Sequence, residues 1–97
     1  MLDRMTISTS KQLKALSHPL RMGIMSLLAA EAMTNEELAR KLGVASGALH
    51  FHTRFLRDAG IIDVAYTRRN GPQTEKYYRP VAKVYEYELK LDVKESG

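Results

Sequence analysis

Basic and polar side chains between Ser46 and Asp58 are spaced for contact with a polyanion. On a helix of about 3.6 residues per turn they share one side, and that side carries almost no acid. Its members are Ser46, Gly47, His50, Phe51, Arg54 and Arg57. Arginine can donate two hydrogen bonds to a guanine edge, and any cation can bind a phosphate. The chemistry that this pattern favours is recognition of duplex DNA through its major groove.

The opposite side of the same helix is suited to packing. Leu49, His52, Thr53 and Leu56 form one stripe, in which His52 is predicted to be a hydrogen-bonded core histidine rather than a ligand. An ordinary amphipathic helix with a basic solvent face would show the same pattern. The neighbouring elements therefore have to decide between the two interpretations.

Several of these residues have two possible roles. Arg54 contacts either a base or a phosphate, and His50 is either a base contact or a surface histidine. Phe51 either touches a thymine methyl group or, as we favour, packs under a wing or an adjacent subunit. The backbone N–H groups of Ser46 and Gly47 could hold a phosphate at the helix start.

A second polar group is predicted to lie on a β-hairpin. It consists of Arg68, Arg69 and Gln73. The pair Asn70-Gly71 tolerates the positive φ of a tight turn, and the alternating segment Ile61 to Thr67 is matched by a return strand over Thr74 to Arg79. We expect the two arginines at the tip of this wing to enter a minor groove or lie along phosphates; a solvated turn is the alternative.

The elements before this hairpin form helices. Ser10 is predicted to cap a short helix over residues 11–16 with Leu13 on its inner side, and Pro19 opens a second helix that runs to Ala30. Arg21 points away from the apolar stripe of that helix. It is expected, with Lys11 and Lys14, either to contact the DNA backbone or to be solvated.

The spacing from Thr34 onward is that of a helix-turn-helix. Thr34 and Glu37 form a capping box that opens a helix through Leu42, and Gly43 closes it with a positive φ. Three or four residues then lead to the basic helix described above, which Gly60 ends. Short helix pairs of this kind also occur in domains that bind no DNA.

The two ends of the chain give different signals. Residues 1–8 carry no strong pattern and are expected to be frayed or to lie against a partner. From Val84 to Val93 apolar and polar residues alternate, which predicts a strand. Its apolar face needs a cover, for which the candidates are the wing, the first helix or the same strand of a second subunit.

Composition limits the class of protein. Ninety-seven residues make one domain, and 44% hydrophobic with 27% charged residues describes a soluble globular protein. A net charge of +4 favours a polyanionic partner, and the absence of cysteine excludes disulfides and thiolate metal sites. No membrane span, signal peptide, cofactor motif or catalytic motif is present, so we expect a cytoplasmic protein without cofactor or metal that is not an enzyme.

Four segments together resemble one family. Residues 15–21, A-L-S-H-P-L-R, resemble the A-L-x-H-P-x-R opening of arsenic-repressor-like (ArsR-type) winged-helix regulators. Residues 37–44 are similar to their E-L-A-x-x-L-G-V helix, and residues 52–62, H-T-R-F-L-R-D-A-G-I-I, to their H-L-x-x-L-x-x-A-G-L-V. Residues 76–82 look like the end of the wing in one branch. The resemblance covers roughly residues 13–83.

This resemblance implies a homodimeric transcription regulator, usually a repressor, on an inverted-repeat operator. It places Ser46, Gly47, His50, Phe51 and Arg54 on the base-reading side of the recognition helix. Ala45 departs from the family, which usually has a capping serine or threonine there, so the helix is capped by Ser46 or left weaker. The cysteine pair or terminal-helix ligands of metal-sensing members are also missing.

The predicted fold is therefore an α+β winged helix-turn-helix with three to four helices, a β-hairpin wing and a C-terminal strand. It forms one domain over residues 1–97, with the helix-turn-helix at about 34–59, the wing at about 61–80 and the strand at about 84–93. The predicted function is sequence-specific binding of double-stranded DNA as a homodimer. One alternative is a protein-interaction module that uses the C-terminal strand, and another is the DNA-binding part of a longer regulator.

Overall fold

Residues 1–88 form four helices and two pairs of strands. A computed structural model describes residues 1–88. In chain order the elements are β1 (Leu2–Ile7), α1 (Ser10–Leu16), α2 (Pro19–Ala30), α3 (Asn35–Leu42), α4 (Ser46–Asp58), β2 (Ile62–Asn70), β3 (Gln73–Pro80) and β4 (Ala82–Tyr87). This architecture confirms the predicted winged helix-turn-helix, and the part of the predicted last strand beyond residue 88 lies outside the described residues.

The helix-turn-helix is α3 and α4, and its local signals act as predicted. The hydroxyl of Thr34 accepts from the backbone N–H of Glu37, and the carboxylate of Glu37 accepts from that of Thr34. Gly43 ends α3 with φ of 68°, a conformation that costs glycine little. Leu38 on α3 and Leu49 on α4 are fully buried where the two helices meet α2.

Helix α1 begins differently from the prediction. Thr9, not Ser10, is the N-cap, and its capping box with Gln12 satisfies two backbone donors. Ala15 is in the core, while Leu13 is 47% exposed and does not lie on the inner side. Residues two positions apart on a helix point about 200° apart, so the packing that buries Ala15 turns Leu13 toward solvent.

The wing is the antiparallel pair β2 and β3. Asn70 pairs with Gln73, so that Gly71 and Pro72 form the turn. Arg68 and Arg69 pair with Glu75 and Thr74, just before this last pair. The prediction that they lie in the turn at the tip is therefore wrong, because the strand continues through both of them. Tyr78 of β3 is buried against the helices and forms an isolated bridge with Met33, which fixes the base of the wing to the core.

The N-terminal residues form a strand, which the sequence analysis missed. Strand β1 pairs in parallel with β4, with Met5 opposite Tyr85 and Ile7 opposite Tyr87. The hydrogen-bonded neighbour of the last strand is thus β1. On its predicted apolar face, Tyr85 packs against the core and Tyr87 is 54% exposed. The hydroxyl of Tyr85 donates to the carbonyl of Ile61 at 2.6 Å, which fastens β4 beside the end of α4.

Arg21 is also placed contrary to prediction: it is 6% exposed and joins three helices. Its Nε donates to the carbonyl oxygen of Ala15 at 2.8 Å and its Nη2 to that of Lys14 at 3.0 Å. Its Nη1 lies 3.0 Å from Nδ1 of His52, and its Cζ lies 4.2 Å from the centre of the Phe55 ring. The guanidinium therefore satisfies the Ala15 carbonyl at the end of α1 and adds a second donor to the Lys14 carbonyl, which also accepts from the N–H of Ser17.

His52 is the half-buried, hydrogen-bonded histidine that the helix periodicity predicted. Since arginine can only donate, Nδ1 of His52 must accept from Arg21 and cannot carry a proton there. Burial lowers the pKa of His52 from its ordinary value of 6.5, and the nearby His18 and Arg21 lower it further. Protonation of this ring would place an N–H at Nδ1 opposite the N–H of Arg21, and two donors cannot hydrogen-bond to each other.

We expect the free energy of unfolding to decrease below neutral pH because of His52. Its pKa is lower in the folded protein than in the unfolded chain, so this stabilisation is complete above pH 6.5 and is lost as the pH falls through the folded-state pKa. Urea denaturation between about pH 8 and about pH 5 measures the effect. His52→Asn, which keeps an acceptor for Arg21 but cannot titrate, should flatten this dependence; an equally steep one would contradict the role of His52.

Candidate nucleic-acid interface

The exposed face of α4 carries all six of the helix residues predicted to bind DNA. Leu49, Thr53 and Leu56 are buried on the opposite face, as predicted. The exposed residues are Ser46, Gly47, His50, Phe51, Arg54 and Arg57. The packing of α4 on α1, α2 and α3 therefore leaves its polar side open to a large ligand.

A basic groove runs between α4 and the wing strand β3. Its volume is about 440 Å³, and it is lined by His50, Thr53, Arg54, Arg57, Asp58, Lys76 and Tyr78. Three cations and one histidine thus face a single carboxylate. The tertiary structure brings the predicted residues of α4 together with Lys76, which the sequence analysis had not assigned to the site.

The arginines of this groove take part in no ion pair of the described part of the chain. Within residues 1–88, ion pairs link Arg4 to Glu86, Arg79 to Asp63 and Lys83 to Asp3. None of these involves α4. The guanidinium of Arg57 lies over the ring of Tyr78, with 5.7 Å between Cζ and the ring centre, so that this cation is held between the helix and the wing.

On the wing, the guanidinium of Arg68 packs over one of two stacked tyrosine rings. The rings of Tyr66 and Tyr77 stack with centres 4.7 Å apart, and Cζ of Arg68 lies 5.3 Å from the centre of the Tyr77 ring. The carboxylate of Glu75, opposite Arg68 in the hairpin register, accepts from Asn70 at 2.7 Å and from the Tyr77 hydroxyl at 3.3 Å. Arg69 and Gln73 are exposed beside the turn.

Phe51 does not pack under the wing, so that half of the favoured interpretation is wrong, while packing against an adjacent subunit stays a prediction. Its ring meets the ring of His52 edge-on, with centres 5.2 Å apart, and lies 6.3 Å from that of Phe55. It is 57% exposed. Because Phe51 lies one position from His50, about 100° around the helix, it falls on the side of α4 away from the wing groove.

The start of α4 has no side-chain cap. Ala45 is the N-cap and offers no acceptor, and the hydroxyl of Ser46 does not take over that role. The first backbone N–H groups of the helix therefore lack a side-chain partner, next to the exposed Gly47. Of the two possibilities raised by the sequence, the uncapped start is the one observed.

Asn35 and Lys76 line the grooves of the candidate interface, and sequence reasoning missed both. Nδ2 of Asn35 lies 3.1 Å from Nδ1 of His50, and both residues line a second groove between the start of α3 and the wing. Lys76 borders both grooves. The period of two along β3 places Lys76 on the same face as the buried Tyr78, a signal that could have identified it.

Among residues 1–88, no three histidine or carboxylate side chains come close enough together to hold a metal ion. In the same part of the chain, no helix is both long enough and apolar enough to cross a membrane.

Comparison with known proteins points to one family. A family model described as a helix-turn-helix domain matches residues 16–65. The structure is similar to the crystal structure of NolR from Sinorhizobium fredii, with a TM-score of 0.62. The two sequences are 33% identical, and the match covers 75% of this chain and 68% of NolR. No sequence among the curated proteins matches significantly.

Two other solved structures agree with this assignment. The transcriptional repressor BigR from Xylella fastidiosa is 32% identical, with a TM-score of 0.58 over 71% of this chain and 63% of that one. The homodimeric winged helix-turn-helix DNA-binding domain of Mb0332 from Mycobacterium bovis, a possible ArsR-family regulator, is 26% identical, with a TM-score of 0.63 over 76% and 64%. With the four helices, the wing and the matched motifs in place, this chain belongs to the ArsR-type family of winged helix-turn-helix transcriptional regulators.

Proposed function

We propose that this protein binds double-stranded DNA as a homodimer and represses transcription from an inverted-repeat operator. The observation that carries the proposal is the open basic face of α4, which continues through Lys76 onto the wing and whose arginines form none of the ion pairs found within residues 1–88. A surface of this kind attracts phosphates and admits an α-helix into a major groove. We propose the cytoplasm as its location and residues 1–97 as one functional domain.

Each part of the interface has a proposed role. Arg54 and His50 contact base edges, because they lie on the exposed face of the helix one turn apart. Arg57 and Lys76, which flank the groove, bind phosphates, and so do the uncapped N–H groups around Gly47. The wing residues Arg68, Arg69 and Gln73 reach the neighbouring minor groove or its phosphates.

The relatives support the dimer and the repression. The Mb0332 domain is homodimeric, and BigR is a transcriptional repressor. A two-fold axis would place two α4 helices in successive major grooves about 34–36 Å apart, and a near-palindromic site follows from that symmetry.

Selection of bound duplexes from a random pool tests the proposal. We expect an inverted repeat with half-sites about one helical turn, roughly 10 base pairs, apart, and two protein chains per duplex in sedimentation. Affinity should fall steeply with salt, since each neutralised phosphate contributes about −0.9 to the slope of log K against log salt. Failure to bind any duplex at low salt, or enrichment of no sequence, would refute sequence-specific DNA binding.

A further inference from the structure

We propose that Asn35 is a positioning residue that sets the tautomer of His50, so that His50 presents an N–H donor from Nε2 to the DNA. This inference rests on the proposed function and deepens it, because it predicts to which base edges His50 can donate a hydrogen bond. The carrying observation is the contact across the helix-turn-helix, with Nδ2 of Asn35 3.1 Å from Nδ1 of His50.

The two residues come from different elements that the fold holds together. Asn35 is the first residue of α3, directly after the capping residue Thr34, and His50 lies in the first half of α4. His50 is exposed and borders both grooves beside the wing. Asn35, which lies outside the recognition helix α4, therefore contacts His50, which is proposed to contact a base.

Hydrogen-bond chemistry then determines where the proton of His50 resides. The amide nitrogen of asparagine only donates, so Nδ1 of His50 must offer its lone pair. In a neutral imidazole the proton is then on Nε2. The same ring without Asn35 would be free to place its proton on either nitrogen.

The burial of the asparagine oxygen supports this orientation of the amide. Oδ1 of Asn35 is buried and has no hydrogen-bond partner among the described residues. Turning the amide over would bury an unpaired NH₂ group with two donors instead, and unpaired donors are the rarer and costlier defect. The orientation with Nδ2 toward His50 is thus the better of the two.

A donor at Nε2 distinguishes between bases in the major groove. Guanine offers N7 and O6 as acceptors, adenine offers N7 and thymine offers O4, whereas cytosine offers only the N4 amino donor. We therefore expect each half-site to exclude cytosine at the position that faces His50. The opposite tautomer would accept from cytosine and lose this discrimination.

The first arm of the test needs no DNA. Nitrogen-15 spectra of the free protein at alkaline pH report which ring nitrogen of His50 bears hydrogen, and we expect Nε2–H. Asn35→Asp, which can only accept, should move the proton to Nδ1, and Asn35→Ala should give a mixture. A wild-type Nδ1–H form, or a tautomer that neither substitution changes, would overturn the proposal.

The second arm measures base preference at the position that faces His50 in the selected operator. Cytosine there should weaken wild-type binding by about tenfold, and Asn35→Ala should reduce that penalty to about twofold. The alanine variant keeps the Thr34–Glu37 capping box and removes a buried unpaired oxygen, so it should fold. A penalty as large in Asn35→Ala as in the wild type would overturn the proposal.

Glu36→Ala is the matched control. Glu36 is exposed, lies in the same turn of α3 and borders the same groove. Its removal should raise affinity for all duplexes alike and leave the His50 tautomer unchanged. If the wild-type protein bound no duplex, the proposed function would fail, while the spectra of the free protein would still decide whether Asn35 sets the tautomer.

Discussion

Arg54→Ala should weaken binding to the selected operator by at least about 30-fold. A bidentate arginine–guanine contact contributes about 1–3 kcal/mol, and a dimer loses two of them, so the minimum loss is about 2 kcal/mol. Arg54 is exposed in the basic groove and forms none of the ion pairs found within residues 1–88. Fluorescence anisotropy with the operator and with random duplex measures the change.

The comparison between the two duplexes shows what Arg54 contacts. If Arg54 reads a base, operator binding falls far more than random binding; if it binds only phosphate, both fall together and the salt slope decreases by about 0.9 per contact. Lys83→Ala is the matched control, because it removes the same charge from β4, away from the groove. Equal losses in the Arg54 and Lys83 variants would contradict an interface on α4.

Arg21→Ala should lower the free energy of unfolding by about 3 kcal/mol, the largest effect we expect on stability. The substitution leaves the carbonyl oxygen of Ala15 and the Nδ1 of His52 without the donor from Arg21, and it removes one of the two donors to the Lys14 carbonyl. It also removes the guanidinium that packs on Phe55. Unpaired buried acceptors are costly, so the loss exceeds that of an ordinary side chain.

Urea denaturation measures this effect, with Arg4→Ala as the matched control. Arg4 is exposed and, among residues 1–88, pairs with the half-exposed Glu86 across the β1–β4 sheet, so its loss should change stability by no more than about 0.5 kcal/mol. Arg21→Lys keeps the charge but cannot make the same fork of hydrogen bonds, and should also be destabilised. Similar stabilities for the Arg21→Ala and Arg4→Ala proteins would show that the buried arginine does not hold α1, α2 and α4 together.

The sequence by itself determined the helix-turn-helix and the wing. Thr34 and Glu37 cap α3, Gly43 ends it, and the spacing of Leu49, Thr53 and Leu56 predicts which face of α4 is buried. These signals lie within a few residues of the structure that they specify. Local hydrogen bonds and periodicity act at that range, which is why the exposed residues of α4 were also identified correctly.

Only the tertiary structure decided which distant segments meet. The pairing of β1 with β4 joins the two ends of the described chain, and no local pattern names the partner of a strand. Arg21 was missed because its acceptors include backbone carbonyls, which every residue possesses and which leave no trace in the sequence. The contact of Asn35 with His50 depends in the same way on the angle between two helices, and that angle is set by packing of the whole core.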